Sequence, residues 1–309
     1  RSIDQQWRRT SYTGLTQGMH DAPSGADEPA TGDELVADPA LSTPAPMGSL
    51  PAGAEFGTLV HEALEVLDWS ADGRRSRIAD VVRTHAIAFA ESERAILADG
   101  LEAVVTTPLL PLTQQSLSDV PTQLRLAELD FDLPMGGTHA ATVGQLAQLI
   151  QAHLPADDPL VEYPSLLAAS ETSHKVLSGM LTGSIDAVLR TEAGKFLVVD
   201  YKTNRLAPSP DDVLTLGHYT QAAMAHAMMA AHYPLQAICY CAALHRYLSL
   251  RLPGYDPQQH LGGVGYLFVR GMAGPTTPVI DGHTCGVFSW YPSPDLVVAV
   301  SDLLGGHHA

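Results

Sequence analysis

Two apolar segments joined by a short turn place the strongest constraint on the fold of this chain. The first reads MLTGSIDAVLR (180–190), the turn reads TEAGK (191–195), and the second reads FLVVDYK (196–202). A continuous apolar run such as FLVV, bounded by turn residues, is typical of a strand that is covered on both faces. The pattern therefore predicts a β-hairpin inside a sheet that has helices on both sides.

Helical and strand patterns alternate along the rest of the chain. Apolar residues recur at helical spacing in several segments, whereas others alternate between apolar and polar residues. Helices are expected over 56–69, 74–105, 141–153, 212–231, 234–250 and 293–305, and further strands over 124–134 and 262–271. This order predicts an α/β fold with a mixed central sheet flanked by helices.

Charged residues lie at the ends of the two predicted hairpin strands. Across an antiparallel pair, Asp186 and Asp200 would approach to about 5 Å, and two carboxylates that close repel each other. A divalent cation that prefers oxygen ligands, such as Mg²⁺, removes the repulsion. Lys202 points to the same side of its strand as Asp200, and the backbone carbonyl of Tyr201 lies between them. These residues alone also fit a surface ion pair at a strand end, with Asp186 in a turn.

Acidic residues outnumber basic ones, and the formal net charge is −17. Part of the excess lies in 19–55, which carries seven Asp and Glu residues, no Lys or Arg, and many Pro and Ala residues. This composition predicts a flexible linker. The bulk charge argues against unaided DNA binding, but it is compatible with a catalytic module that a partner supplies with DNA.

The cysteines and the N-terminal sequence bear on the compartment. Cys239, Cys241 and Cys285 match neither a disulfide framework nor a tetrahedral metal site, which favours a reducing cytoplasm. No apolar run reaches the roughly 20 residues needed to span a bilayer, so we expect no membrane partner. The chain begins without Met and shows no signal-peptide pattern, so we expect a piece of a longer polypeptide.

Six sequence blocks resemble the RecB-type nuclease domains of the PD-(D/E)XK superfamily. They occur in the order typical of that family and span nearly the whole chain. The last two are the most specific, because nothing in their residues follows from generic catalytic chemistry. The blocks are SYTGL (11–15), GTLVHE (57–62), LTGSIDAVLR (181–190), VVDYKTN (198–204), ALHRYL at the end of 218–248, and GGVGYLFVRGM (262–272).

The resemblance implies roles for the charged residues of the hairpin. Asp186 and Asp200 match the metal-binding carboxylates of the family, and Tyr201 matches the residue whose backbone carbonyl joins them. Lys202 matches the catalytic lysine. His61, in GTLVH, matches a histidine that adds a metal ligand from the first helix. Because only a neutral imidazole binds a metal ion, acid should weaken metal binding.

The resemblance implies a role in the site for three further residues, and an ordinary structural role is the alternative for each. Gln236 and Tyr240 match a Q-x-x-x-Y element, and their spacing places them on one helical face. They would position DNA or support the catalytic lysine, or they form an ordinary buried pair. Glu128 matches an acidic residue on the first core strand of the superfamily, or it is an outward-facing strand carboxylate.

The resemblance also implies a domain organisation and a cofactor. An N-terminal segment (1–18) would pack on the nuclease domain, the acidic linker would follow (19–55), and the RecB-type nuclease domain would occupy 56–309. The core would be that of restriction endonucleases, with helical insertions. Mg²⁺ is the implied cofactor, and Ca²⁺ or Mn²⁺ could occupy the same site.

The implied activity is Mg²⁺-dependent hydrolysis of DNA, mainly of single strands unwound by a helicase during double-strand-break repair and recombination. The implied partners are RecC-like and RecD-like subunits and a helicase region N-terminal to this one in the parent chain. Two alternatives are kept: a free-standing exonuclease of the superfamily, and a catalytically silent docking module. The three cysteines cannot form the four-cysteine iron–sulfur site of some relatives.

Overall fold

A computed structural model describes residues 9–11, 39–69, 72–136 and 140–305 of the chain. In these residues six strands form one mixed sheet, and two short strands form a separate hairpin. The predicted α/β class is confirmed. The strands are β1 (Arg9–Ser11), β2 (Arg125–Met135), β3 (Gly179–Arg190), β4 (Phe196–Lys202), β5 (Leu261–Phe268), β6 (Val279–Ile280), β7 (His283–Thr284) and β8 (Val287–Trp290).

Helices cover both faces of this sheet, as the apolar run in β4 predicts. One face packs on the first three helices, and the other packs on α4 to α7 and α9. The helices are α1 (Ala54–Val66), α2 (Arg74–His85), α3 (Glu91–Thr106), α4 (Val143–His153), α5 (Tyr163–Ala169), α6 (Gln221–Ala230), α7 (Tyr233–Arg251), α8 (Pro257–His260) and α9 (Pro294–Gly305). In the part of the chain that the structure describes, none of them combines the length and apolar character of a membrane span.

β4 lies at the centre of the sheet, and its side chains alternate between the two cores. Leu197, Val199 and Tyr201 pack towards α1 to α3, whereas Val198 packs towards the α7 side. β4 pairs with β3 in antiparallel and with β5 in parallel orientation, and β2 pairs with β3 in antiparallel orientation. The predicted hairpin is therefore confirmed, and both of its strands have a second neighbour.

The predicted linker over 19–55 is corrected for its C-terminal part. Leu41, Met47 and Leu50 are buried, and Met47 is completely inaccessible to solvent. The backbone of this part is tied to the segment before α6, since Ala45 N donates to Leu214 O at 2.8 Å. Apolar residues interspersed among the prolines therefore pack residues 39–53 against the domain. We call this segment the strap.

The other N-terminal predictions fall largely outside the described residues. Residues 1–8 and 12–38 are not among the described residues, and they include most of the predicted segment 1–18. Its described residues, Arg9–Ser11, form β1, which pairs in parallel with residues 180–182 of β3.

The helix predicted over 212–231 is wrong for its first half. Residues 212–220 form a loop and a short turn of 3₁₀ helix, and α6 begins only at Gln221. Thr220 caps this helix, because its side chain accepts a hydrogen bond from Ala223 N. The loop segment instead supplies the backbone groups that bind the strap.

A substitution at a glycine in the middle of α3 can test how the strap packs. A Cβ atom at Gly100 would overlap Met47 Cγ and would lie 2.6 Å from its Sδ. In an open helix Gly→Ala stabilises by about 1 kcal/mol, whereas overpacking a core costs about 1–3 kcal/mol. We expect Gly100→Ala to lower the free energy of unfolding by about 1–2 kcal/mol, measured by urea denaturation.

The matched control is the same substitution in a Met47→Ala background. There the space is open, so Gly100→Ala should stabilise the protein through its helix propensity. A stabilising effect of Gly100→Ala in the otherwise unchanged chain would mean that the strap does not pack on α3.

Candidate active site

The pairing of β3 with β4 stops at two acidic residues, one on each strand. The last pairs run from Arg190 with Phe196 to Ala187 with Val199. The next step along both strands is Asp186 opposite Asp200, and beyond it β4 pairs only with β5. The sheet therefore opens between β3 and β4 at these two residues, as the predicted register requires.

Asp186 occupies the opening between the two strands. Its Oδ2 accepts a hydrogen bond of 2.7 Å from the backbone N–H of Tyr201, a donor beyond the end of the β3–β4 pairing. The same oxygen lies 3.2 Å from Nδ1 of His61. The carboxylate therefore connects β3, β4 and α1 at one point.

His61 reaches Asp186 because of the amphipathic pattern of α1. Leu59, Val60 and Ala63 are buried against the sheet, which leaves the His61 side chain 39% exposed at the edge of the opening. Burial acts to lower the pKa of His61, but the hydrogen bond and charge of Asp186 outweigh it, so the pKa is raised. The structure thus places His61 beside Asp186, and its role as a metal ligand stays a prediction.

Asp200 is buried, with 2% of its surface exposed, and it faces a cation. Lys202 Nζ lies 2.7 Å from Asp200 Oδ2. Burial raises the pKa of Asp200 to about 6; Lys202 opposes this change and the charge of Asp186 adds to it. The anionic form of Asp200 therefore depends on a positive partner.

Lys202 lies in a polar and aromatic cage. Its Nζ is 4.0 Å from the centroid of the Tyr233 ring and 5.1 Å from that of Tyr266, and it donates to Gln236 Oε1 at 3.2 Å. Burial acts to lower the pKa of Lys202, but the charge of Asp200 outweighs it and the pKa is raised. The ammonium form is thus favoured, which suits a positive charge donor better than a general base.

Gln236 and Tyr240 form a hydrogen-bonded chain behind the lysine. Gln236 Oε1 accepts from Lys202 Nζ and, at 3.0 Å, from the hydroxyl of Tyr266. Its Nε2 donates to the Tyr240 hydroxyl at 2.9 Å. This geometry corresponds to the predicted support of Lys202, and direct contact with DNA stays a prediction.

Glu128 lies on the other side of Asp186. Ala127 pairs with Ala187 and Leu129 with Ile185, which places Glu128 level with Asp186 on the neighbouring strand. Its side chain is exposed and its φ of 50° interrupts the pairing. The hydrogen bond and charge of Glu65 raise the pKa of Glu128. The exposure of Glu128 agrees with the alternative that it is an outward-facing strand carboxylate. A role of Glu128 in the candidate active site stays a prediction.

The donor groups suit a divalent cation, although their side chains do not converge on one point. Within the described residues, no three His, Cys, Asp or Glu side chains are grouped closely enough to surround a metal ion. His61 and Asp186 are in contact, whereas Asp200 turns to Lys202. Two carboxylates and an imidazole beside the opening are nevertheless the ligand types that divalent metals use. A cation there would add to the positive charge that Lys202 already brings to buried Asp200.

Comparison with known proteins assigns the family. Residues 39–277, which include every charged residue of the opening, match the PD-(D/E)XK nuclease superfamily. The chain belongs to this superfamily. The match begins at the strap, consistent with its packing as part of the nuclease domain.

Relatives named RecBCD enzyme subunit RecB cover almost all of this chain. The protein of Mycolicibacterium smegmatis is 44% identical over 98% of the chain, and that of Mycobacterium tuberculosis is 41% identical over 98%. The Escherichia coli protein is 32% identical over 97%. The chain covers only 30%, 29% and 23% of these three proteins. The resemblance to RecB-type nuclease domains is confirmed.

Two residues of this PD-(D/E)XK site were missed in the sequence. Tyr233 and Tyr266 stack on each other, with ring centroids 6.0 Å apart, and both rings face Lys202. Tyr233 precedes Gln236 by three residues, so helical spacing could have placed it on the same face of α7. No pattern in GGVGYLF indicates that Tyr266 reaches Gln236, because this contact joins β5 to α7.

Tyr201 should contribute through its backbone and its ring, not through its hydroxyl. Among the described residues this buried hydroxyl has no hydrogen-bond partner, and the ring makes an edge contact with His61. Tyr201→Phe removes an unsatisfied group, so we expect the free energy of unfolding to stay equal or to rise by about 1 kcal/mol. Urea denaturation measures the change.

The matched control is Tyr219→Phe. Tyr219 is equally buried, but its hydroxyl donates to Asn204 O at 2.9 Å. Loss of this hydrogen bond should lower the free energy of unfolding by about 1 kcal/mol or more. A similar loss in Tyr201→Phe would show that the Tyr201 hydroxyl has a partner in solution.

Proposed function

We propose that this nuclease domain is a Mg²⁺-dependent deoxyribonuclease that hydrolyses phosphodiester bonds in DNA. The observation that carries the proposal is the opening of the sheet at Asp186 and Asp200, with His61 on one carboxylate and Lys202 on the other. Two carboxylates, an imidazole and a buried lysine thus lie beside one opening. The resemblance to the superfamily implies metal and catalytic roles for these same residues.

The proposed metal ligands are His61, Asp186, Asp200 and the backbone carbonyl of Tyr201. When bound, Mg²⁺ supplies Lewis-acid polarisation of a phosphate oxygen and a water of lowered pKa. Asp186 is held in place by the Tyr201 N–H, so its position does not depend on the metal.

Lys202 acts in this proposal as a fixed positive charge. Its raised pKa keeps it protonated, so it can donate to a phosphate oxygen or orient the attacking water. Gln236 and the two tyrosines limit the directions in which its ammonium group can point. Gln236 and Tyr240 are proposed to act on DNA only through this lysine.

We further propose that the domain works within a RecBCD assembly in the cytoplasm. The relatives carry that name, and their length beyond the region matched here leaves room for a helicase region in the parent chain. The substrate would be single strands that the helicase has unwound during double-strand-break repair and recombination. RecC-like and RecD-like partners would supply the positive channel that a chain of net charge −17 lacks.

The test of the activity uses the 309-residue chain, end-labelled single-stranded DNA and Mg²⁺. Asp200→Asn and Lys202→Met should each lower the cleavage rate by about 100-fold or more, because each removes a charge at the reacting phosphate. EDTA should abolish cleavage. Gel electrophoresis of the labelled products measures the rate.

Glu192→Gln is the matched control, since Glu192 lies exposed in the turn at the other end of the same hairpin. It should cleave at the unchanged rate. Equal cleavage by Asp200→Asn and the unchanged chain would refute the assigned site. If the chain cleaves only after RecC-like and RecD-like subunits are added, the free-standing exonuclease is excluded; no cleavage in either state favours the docking module.

Tyr233 should matter for turnover more than for DNA binding. A desolvated cation–π contact contributes about 2 kcal/mol, so Tyr233→Leu should lower kcat by about 30-fold while KM for the DNA stays within about twofold. Tyr233→Phe keeps the ring face and should retain most of the activity. Steady-state kinetics on labelled DNA separates kcat from KM. A Phe variant as slow as the Leu variant would contradict the role of the ring.

A further inference from the structure

A fully buried arginine gives the block GGVGYLFVRGM a role that its sequence does not reveal. Arg270 follows β5 in a turn of 3₁₀ helix, and none of its surface is exposed. Its Nε donates to Thr203 O at 2.9 Å. Its Nη1 donates to Met47 O at 2.5 Å and Leu50 O at 3.1 Å, and its Nη2 donates to Pro51 O at 2.5 Å.

These four carbonyls lie next to two of the elements that carry the candidate active site, β4 and α1. Thr203 directly follows Lys202 at the end of β4. Met47, Leu50 and Pro51 lie in the strap, which leads directly into α1 and therefore to His61. One guanidinium group thus joins the strand of the carboxylate and lysine to the helix of the histidine.

Two further contacts bring α1 against the same point. The Arg270 guanidinium carbon lies 4.3 Å from the centroid of the Phe56 ring, in the first turn of α1. A Cβ atom at Gly57 would lie 3.3 Å from Thr203 Oγ1. The start of α1 is therefore held directly against the end of β4.

Burying an arginine is costly unless its donors are satisfied. The planar guanidinium makes this burial specific, because its donors have fixed directions and bind several carbonyls in one geometry. A lysine at the same position would offer a single ammonium group and leave some of these carbonyls without a donor. The position of the strap relative to β4 is therefore set by an interaction that only arginine makes in full.

We propose that Arg270 is a positioning residue of the metal site: by joining the strap to the end of β4, it sets the distance of His61 from Asp186 and Asp200. This inference rests on the proposed metal-binding function. In this role Arg270 acts through the strap and α1. Its loss should loosen the histidine ligand while it leaves the carboxylates in place.

The test measures Mn²⁺ binding to the 309-residue chain in the absence of DNA. The dissociation constant is measured by titration calorimetry or from the electron paramagnetic resonance signal of free Mn²⁺. Four proteins form a double-mutant cycle: the unchanged chain, Arg270→Lys, His61→Ala, and the double variant. Arg270→Lys should weaken Mn²⁺ binding by about tenfold in the chain that contains His61. In the His61→Ala background it should have no further effect, because the ligand through which it acts is gone.

Arg246→Lys is the matched control for a general loss of stability. Arg246 is half-buried, and it donates to Ser301 Oγ at 2.9 Å and to Pro134 O at 3.3 Å, so it fastens α9 and the end of β2 to α7. It should lower the melting temperature without changing the dissociation constant of Mn²⁺. If Arg270→Lys does not fold, Phe56→Leu replaces it in the same cycle, because it removes the ring beneath the guanidinium and keeps the four hydrogen bonds.

The outcomes separate this inference from the function on which it rests. An unchanged chain that binds no Mn²⁺ overturns the metal site and the positioning role together. Binding by the unchanged chain, with an equal effect of Arg270→Lys in both backgrounds or with no effect in either, overturns the positioning role alone. A tenfold effect that disappears with His61 supports it.

Discussion

Two acidic residues at opposite positions where a strand ladder ends are the constraint around which this site is organised. Asp186 and Asp200 occupy the step at which β3 and β4 separate. Asp186 accepts the Tyr201 N–H beyond the end of the pairing, so the opening of the sheet leaves no orphan donor there. Asp200 is buried and therefore needs a cation nearby, which Lys202 provides in this structure.

Helices on both sides of the opening bring partners to these charged residues. α1 brings His61 to Asp186 from one face of the sheet, and α7 brings Gln236 to Lys202 from the other. Because successive side chains of β4 point to opposite faces, Tyr201 packs towards α1 while Asp200 and Lys202 face α7. One strand thus joins two groups of helices that share no other part of the site.

Much of the fold could be predicted from the sequence. The hairpin, its register and the covered central strand follow from the spacing of apolar residues and from the turn TEAGK. α5, β8 and the loop over 212–220 could not be predicted in this way. These segments are short, and their conformation depends on local contacts or on distant partners. Thr220 caps the helix that follows the loop, and β8 pairs with β5. The strap was mistaken for a linker because its composition resembles disorder, whereas its burial depends on Arg270, more than 200 residues away.

The sequence by itself determined which residues are the candidates for the chemistry. An aspartate, a lysine two residues later and a histidine in the first helix are recognisable as residue types in a pattern, and local periodicity places them on strands and helices. Only the tertiary structure decided their relation to one another. The cage of Tyr233 and Tyr266 around Lys202, and the guanidinium of Arg270 between the strap and β4, join groups that are far apart in the chain. No local pattern encodes such contacts, because they depend on how helices pack across both faces of the sheet.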